Sequence, residues 1–236
     1  MAIKAADFIL PLVTGKKVGK DTVDALHRYA GIAFYIGSNG LIATCAHIVE
    51  SLEDQELLLA KDFNLGQFFE VKNIVCHPSM DFAVGQINVK HNRYMLPVNE
   101  KLTPVLMGTD VVSFGYVNYG KKGVNISLQY RFFKGYISCL GNKPDPSKRS
   151  RTLCEVSFPS LAGFSGAPVF LKDSDGLVGM LYGNNESNIE VFSFSEITDD
   201  KNKYTEKVFR TIEFGLAHTI SDIILYLNDL DIKAFL

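Results

Sequence analysis

Short apolar or alternating segments, cut at close intervals by turn residues, run through almost the whole chain. An Asn39-Gly40 pair lies between the segments GIAFYI and LIATCA and gives the strongest short-range signal for a β-hairpin. Their number, about a dozen, indicates an all-β chain of the two-barrel or large-sandwich kind. The segments are GIAFYI, LIATCA, ELLLA, FFEVKNIVC, FAVGQINV, DVVSFGYV, YRFFKGYISCL, TLCEVSF, PVFL, LVGMLYG, IEVFSF and RTIEFGLA.

Helical patterning is scarce by comparison. The clearest case is the C-terminus, where we expect Ser221 to cap a helix with one apolar face. A second helix is possible over DTVDALHRYA (residues 21–30), and HIVESLE could hold a single turn. The apolar positions of the C-terminal helix are Ile220, Ile223, Ile224, Leu227 and Leu230.

Composition argues against two classes of partner. The 24 basic and 26 acidic side chains leave a net charge of −2, so no electropositive field favours nucleic acid. No apolar run is long enough to span a bilayer, and the run from Phe8 to Val13 makes a poor signal peptide. We therefore predict a cytoplasmic protein with no nucleic-acid or membrane partner.

The four cysteines lie far apart in apolar, strand-like contexts, which favours structural free thiols over disulfides or metal ligands. The alternative is a zinc site, because Cys45 lies two residues before His47, and Cys76 adjoins His77. Successive side chains of a strand point to opposite faces, which opposes convergence of Cys76 and His77 on one ion. We predict neither a metal nor another cofactor.

The stretch AGFSGAPVF places Ser165 on a turn of small residues. One hypothesis is the nucleophile elbow of an α/β-hydrolase, with Asp199 or Asp200 and His218 following the serine. Against it, Pro168 opens a β-prone run where that elbow requires a helix, and the chain lacks alternating strands and long helices.

The other hypothesis takes histidine, aspartate and serine in chain order. LIATCAHIVE places His47 just after a strand, HPSMDFAVGQI places Asp81 at the head of another, and Ser165 follows. With these motifs the chain resembles the trypsin-like (chymotrypsin-fold) serine peptidases, above all the bacterial HtrA-type and related intracellular members. The similarity runs from about ILPLVTG to the terminal helix and includes GIAFYIGSNGLIATCAHIV.

The resemblance implies two packed six-stranded antiparallel β-barrels with a C-terminal α-helix. It implies a single peptidase domain over residues 1–236, with lobes of roughly 1–105 and 106–236. His47 would take the proton of Ser165 as its hydroxyl attacks a carbonyl, and Asp81 would orient the imidazole. The N–H groups of Gly163 and Ser165 would form the oxyanion hole. The expected activity is that of a serine endopeptidase, acting on protein substrates through an acyl-enzyme.

The specificity pocket is implied in the same way. Its walls would be Pro159 and Ser160 before the serine, and the strand through Leu181, Tyr182 and Gly183. No acidic residue occurs over 159–164, so we expect a small or apolar substrate side chain rather than Lys or Arg. Tyr182 lies where relatives often have a small polar residue that supports the aspartate.

Departures from the family pattern bear on regulation. No basic residue followed by an I-V-G-G sequence occurs near the N-terminus. We therefore expect an enzyme that is either synthesised in an active form or activated by a protein partner. Ala167 replaces the second glycine of the serine motif, a change that should be tolerated. The alternative to an active peptidase is a catalytically silent binding or regulatory module with the protease fold.

Overall fold

A computed structural model of the protein describes residues 7–18, 22–37, 39–89, 105–120, 125–141, 153–173, 176–197 and 203–230. Over these residues the chain forms thirteen strands and two helices. The first half contains β1 (Ile9–Val18), β2 (Thr22–Tyr35), β3 (Leu41–Thr44), α1 (Ala46–Glu50), β4 (Glu56–Asp62), β5 (Gln67–Glu70), β6 (Lys72–Cys76) and β7 (Ala83–Gln86). The second half contains β8 (Asp110–Asn118), β9 (Leu128–Gly141), β10 (Leu153–Val156), β11 (Pro168–Leu171), β12 (Leu177–Ile197), β13 (Lys203–Thr219) and α2 (Ile220–Asp229).

The first seven strands form one antiparallel sheet in the order β5-β4-β1-β2-β3-β7-β6. Its edge strands, β5 and β6, are consecutive in the chain and separated only by Val71. The Val71 N–H donates to the Leu58 carbonyl at 2.9 Å, and its side chain is buried. A single bent segment therefore runs from one edge of the curved sheet to the other.

The remaining strands form a closed six-stranded barrel in the order β10-β13-β12-β11-β8-β9. Its interior is filled by apolar side chains from every strand, among them Ile137, Val156, Val169 and Leu181. The prediction of an all-β, chymotrypsin-like architecture with a terminal helix is confirmed. The N-terminal sheet has seven strands rather than six, because the kink at Val71 divides one predicted strand, FFEVKNIVC, in two.

The helix considered for residues 21–30 was wrong over the described part of that segment. From Thr22 the chain lies in β2, which pairs antiparallel with β1 from Val18↔Thr22 to Ile9↔Phe34. This long backbone pairing outweighs the weak helical pattern, and Thr22 and Val23 are β-branched residues that suit a strand.

The C-terminal helix is confirmed, but its cap is Thr219 rather than Ser221. The Thr219 hydroxyl accepts from the Asp222 N–H at 3.2 Å and donates to the Asp222 carboxylate at 2.9 Å. One face of α2 packs into the core of the N-terminal sheet, where Tyr226 stacks on Phe82 with ring centroids 5.7 Å apart. Helix α2 therefore supports the first lobe. Among the described residues, no helix is long and apolar enough to cross a membrane.

The hairpin of β12 and β13 is far longer than the sequence segments LVGMLYG, IEVFSF and RTIEFGLA suggest. It pairs antiparallel from Gly179↔Thr219 to Ile197↔Lys203, with register shifts at Tyr182 and Val191. The charged and polar stretch TDDKNKYTEK (residues 198–207) has the composition of a loop, but residues 203–207 belong to β13, while 198–202 lie outside the described residues. Cross-strand pairing extends the hairpin through a sequence rich in charges.

Candidate active site

His47 is presented by the junction of β3 and α1. Thr44 ends the strand, and its buried hydroxyl donates to the Ile32 carbonyl at 2.7 Å, which fixes the chain at this point. Cys45 is the extended N-cap residue of α1, so His47 lies in the first turn of this five-residue helix. Its side chain is 44% exposed, which leaves the ring accessible to solvent and to a substrate.

Asp81 lies on a tight turn, residues 77–82, between β6 and β7. The turn is closed by His77, whose N–H donates to the Phe82 carbonyl at 2.8 Å. His77 Nδ1 also accepts the N–H groups of Ser79 and Met80, each at 3.1 Å. Because both contacts require a lone pair, this nitrogen carries no proton here. The turn is thus fixed by a buried imidazole on its inner side.

The carboxylate of Asp81 makes two hydrogen bonds to His47. His47 Nδ1 lies 2.6 Å from Oδ2, and the His47 backbone N–H donates to Oδ1 at 2.8 Å. Burial alone would raise the pKa of Asp81, but the hydrogen bonds and charge of His47 outweigh it and lower the pKa below its usual value. The aspartate is therefore ionised at neutral pH and orients the ring with Nε2 facing away from it.

Ser165 lies on a turn with two glycines in the left-handed region, Gly163 at φ +87° and Gly166 at φ +88°. The turn is closed by the Phe164 N–H donating to the Leu161 carbonyl at 2.7 Å. Such φ values are rare for residues with a Cβ, so the glycines are a backbone requirement. This conformation explains why glycines occur on both sides of Ser165 in the sequence AGFSGAPVF.

The serine turn is attached to both lobes. The Ile32 N–H of β2 donates to the Ser165 carbonyl at 2.9 Å, and the Gly166 N–H donates to the Leu181 carbonyl of β12 at 2.8 Å. Gly166 is so closely packed that an added Cβ would overlap the Ile32 carbonyl oxygen. The turn is thus fixed between the N-terminal sheet and the barrel.

Gly166→Ala is expected to destabilise the protein by about 3 kcal/mol, because an unfavourable φ is combined with overlap against backbone. Urea unfolding measures the change. Gly108→Ala is the matched control, since Gly108 has φ +84° but open space around its Cβ position. Its expected cost is only about 1–2 kcal/mol. Equal losses in the two variants would contradict the close packing of the serine turn.

Tyr29 fixes the orientation of the peptide after Gly163. Its hydroxyl lies 2.8 Å from the Gly163 carbonyl and 2.7 Å from the Tyr116 carbonyl. Burial, with a further contribution from Tyr116, raises the pKa of Tyr29 well above its ordinary value, so the hydroxyl keeps its proton. On either side of this peptide, the Gly163 and Ser165 amides donate no hydrogen bond within the described part of the chain. Both amides are therefore available to an acceptor that enters the site.

Tyr29→Phe is expected to slow reaction at Ser165 about tenfold, because the Gly163 peptide loses the donor that orients it, and to cost about 1–3 kcal/mol of stability. The measurement is the rate of labelling by a fluorophosphonate. Tyr35→Phe is the control, since Tyr35 donates to buried Asp62 at 2.9 Å in the N-terminal sheet. It should lose stability and keep its labelling rate. Equal rates in both variants would show that Tyr29 only supports the fold.

The structure brings the serine turn beside His47 but does not join the two by a hydrogen bond. Cys45, two residues before His47, donates its thiol to the Leu181 carbonyl at 3.4 Å, the same carbonyl that accepts from Gly166. Among the hydrogen bonds of the described residues, none joins Ser165 Oγ to His47 Nε2. Such contacts are often long in the absence of substrate and shorten in the complex.

Cys45, His47 and Asp81 also bring potential metal-ligand atoms within 4.8 Å of one another. The thiol of Cys45 is completely buried, and its pKa is raised well above the ordinary value by burial and then by Asp81. A protonated thiol is a poor ligand, and Asp81 is already bonded to His47. The donor set therefore suits an oriented histidine better than a metal ion. None of the four cysteines forms a disulfide.

The residues predicted to wall the pocket lie together beside the serine turn. Ser160 is held by Asn184, which accepts from its N–H at 2.6 Å and donates to its carbonyl at 2.9 Å. Leu181 is completely buried in the barrel core, whereas a Cβ at Gly183 would meet nothing within 4 Å. Pro159 and Tyr182 are partly exposed. The open side of this group is therefore at Gly183.

The roles of Asn184 and His218 were not predicted from the sequence. His218 Nε2 lies 3.0 Å from the Asp81 carbonyl, and its buried ring stacks on Tyr182 with centroids 4.3 Å apart. The aspartate is thus supported through its main chain by a histidine, at the place where a small polar side chain was expected from relatives. A polar residue alternating with apolar ones in EFGLAHTI was the only available signal.

A two-lobed antiparallel β-structure that places a histidine–aspartate pair beside a glycine-rich serine turn defines the class of the chymotrypsin-like proteins. The family profile described as trypsin-like peptidase domain matches residues 31–180, more than half of the chain, and the chain belongs to this family. The antiparallel sheets also exclude the α/β-hydrolase alternative, whose candidate acids Asp199 and Asp200 lie outside the described residues.

The fold is similar to that of a solved structure, the MamO protease domain from Magnetospirillum magneticum in its apo form. The TM-score is 0.61 and the sequence identity 13%, over 96% of this chain and 99% of that one. At this identity the likeness shows the fold alone. A comparison with curated proteins finds no match. The family and the fold together support a peptidase.

Proposed function

We propose that the protein is a serine endopeptidase that uses His47, Asp81 and Ser165 as a catalytic triad. The observation that carries the proposal is the double contact between Asp81 and His47, at 2.6 Å to the ring and 2.8 Å to the backbone. It fixes both the position and the tautomer of the imidazole, which is what a general base for a serine hydroxyl requires.

In the proposed reaction, Ser165 Oγ attacks the carbonyl carbon of a peptide bond while His47 Nε2 removes its proton. His47 then gives that proton to the leaving amine, which departs as the C–N bond breaks and leaves an acyl-enzyme on Ser165. A water molecule, deprotonated by the same imidazole, releases the acid product. Asp81 stays ionised throughout and stabilises the imidazolium.

The amides of Gly163 and Ser165 would stabilise the negative charge that develops on the carbonyl oxygen. They flank the peptide oriented by Tyr29 and donate to no acceptor among the described residues, which supports this assignment. Loss of one such donor typically costs about 2.7–4 kcal/mol of transition-state stabilisation. The geometry of the turn is therefore nearly as important as the triad.

The substrate class is a protein or peptide with a small or apolar side chain before the cleaved bond. The lack of an acidic side chain over residues 159–164 supports this preference. The side chain of Leu181 does not contribute to it, because it is buried in the barrel core. Cleavage of a random peptide library measures it directly. A dominant cut after Lys or Arg would contradict the apolar pocket and leave the triad unaffected.

The experiment that tests the proposed activity is hydrolysis of an unfolded protein substrate, with and without prior treatment by a fluorophosphonate. The untreated protein should cleave the substrate, and the treated protein and Ser165→Ala should not. Cleavage that persists in Ser165→Ala would assign the activity to another group or to a contaminant.

A protease-fold binding module is the second candidate, and one observation favours it: Ser165 Oγ and His47 Nε2 are not hydrogen-bonded within the described structure. In that case the serine would stay unreactive toward fluorophosphonates even with protein partners present. Labelling of the wild-type protein alone would exclude this candidate.

A further inference from the structure

The hairpin of β12 and β13 continues well beyond the barrel. Residues 186–197 and 204–211 are exposed along their whole length, so both faces of this part stand in solvent. We call residues 186–197 with 203–213 the ribbon. A two-stranded hairpin with no packed face is only marginally stable in water.

The two faces of the ribbon differ sharply in composition. Directly opposed residues share a face, and the pairs Phe192↔Val208 and Glu196↔Tyr204 lie on the same one. Five apolar side chains on this face are each 46–58% exposed, and we call it the apolar face. They are Ile189, Phe192, Phe194, Tyr204 and Val208.

On the opposite face, which we call the polar face, side chains of the two strands contact one another. Lys207 pairs with Glu190 at 2.7 Å, and Ser195 is hydrogen-bonded to Thr205 at 3.0 Å. The Thr211 hydroxyl donates to Asn188 at 2.7 Å. Phe209 and Ile197 are the exposed large apolar side chains on this face among the described residues, and Val191 lies at the register shift. The polar face thus satisfies most of its polar groups by its own contacts, whereas the apolar face exposes a continuous row of apolar side chains.

The exposed apolar face amounts to on the order of 500 Å², a size that marks an interaction site on a soluble protein. With the aliphatic stems of its charged residues, it approaches the roughly 800 Å² per partner of a standard interface. A binding partner that stabilises this marginally stable hairpin must stay bound to the apolar face continuously, unlike a substrate that binds for one turnover. A second copy of the chain meets that condition.

The charges on the apolar face favour self-association in one orientation. Arg210 lies toward the barrel, whereas Glu196 and Glu206 lie toward the far end of the ribbon. Two apolar faces related by a two-fold axis perpendicular to the ribbon run antiparallel, which brings Arg210 of each copy toward the acidic end of the other. A parallel arrangement would place like charges together. We propose that the apolar face binds the same face of a second copy in an antiparallel, two-fold symmetric dimer.

Sedimentation equilibrium of the full chain tests the proposal. The wild-type protein should be a dimer, and Phe192→Ser with Phe194→Ser should raise the dissociation constant about 30-fold or more. Phe209→Ser is the matched control on the polar face and should leave it unchanged. A monomeric wild type, or equal weakening by Phe209→Ser, would overturn the proposal. Circular dichroism checks that each variant is folded.

Charge reversal tests the orientation. Arg210→Glu alone should weaken the dimer, and combination with Glu206→Arg should restore it. In the double variant, the acidic side chain at position 210 of each copy faces the basic side chain at position 206 of the other. Failure of the combination to restore association would overturn the antiparallel arrangement. A monomeric wild type whose ribbon variants lose cleavage of protein substrates would instead assign the apolar face to substrate binding.

Discussion

Ser165→Ala is expected to lower the rate of peptide hydrolysis about 10⁶-fold, which is the typical loss when the nucleophile of a triad is removed. The substitution deletes the attacking atom and leaves the substrate-binding residues in place. The free energy of unfolding should change by no more than about 0.5 kcal/mol, since Ser165 Oγ makes no hydrogen bond among the described residues. Steady-state kinetics and urea unfolding measure the two effects.

Ser127→Ala is the control for this loss, because Ser127 is an exposed serine on the approach to β9. It should retain full activity and full stability. If Ser165→Ala kept a substantial part of the wild-type rate, the nucleophile would have to be another residue. If it were strongly destabilised instead, the serine would have a structural role that the geometry does not indicate.

Asp81→Asn is expected to lower kcat about 10⁴-fold with little change in the fold. The asparagine amide would donate to His47 Nδ1 and so hold the proton on Nε2, the nitrogen that must accept from Ser165. Asp62→Asn is the matched control, because Asp62 is a buried carboxylate in the same lobe that accepts from Tyr35 at 2.9 Å. It should lose stability and keep kcat. A similar loss of kcat in both variants would point to general damage of the lobe.

The lowered pKa of Asp81 also gives this substitution a dependence on pH. A carboxylate with a lowered folded-state pKa stabilises the protein above its unfolded pKa, and this contribution is lost as the pH falls through the folded value. The stability difference between wild type and Asp81→Asn should therefore be constant from neutral pH to about pH 4 and shrink below it. Urea unfolding across this range measures it. A constant difference in acid would contradict the ionised aspartate.

The parts of the fold that the sequence predicted were those with local signals. The hairpin between β2 and β3 is present, and both Asn39 and Gly40 have positive φ, a conformation that these two residue types adopt more readily than others. The strand before His47 and the strand after Asp81 are also present, and both were predicted from short apolar runs. The chymotrypsin-like architecture was predicted from the order of three motifs, because no local pattern specifies how two lobes pack.

What the sequence could not predict depends on distant contacts. Tyr29 is 134 positions from the Gly163 carbonyl that it contacts, and His218 is 137 from Asp81. Neither has a sequence neighbourhood that differs from that of an ordinary strand residue. The strand at 22–30 was missed because pairing with β1 decides its conformation. The strand segments IEVFSF and RTIEFGLA were predicted, but the full length of their hairpin was missed because the charged residues around its far end resemble those of a loop.

The ribbon also connects the fold to the proposed reaction. β12 supplies the Leu181 carbonyl that holds Gly166, and β13 supplies the His218 ring that contacts Asp81. The same two strands then form the ribbon. A dimer formed through the ribbon would therefore be built on the strands that support the triad, although the two tests above are independent of each other.

The most direct test of a His47-activated serine is to map the site of a fluorophosphonate adduct by mass spectrometry and to measure its rate of formation. The account predicts one adduct, on Ser165, that forms rapidly in the wild-type protein and far more slowly in His47→Ala. An adduct on another residue, or formation on Ser165 at the same rate without His47, would contradict it.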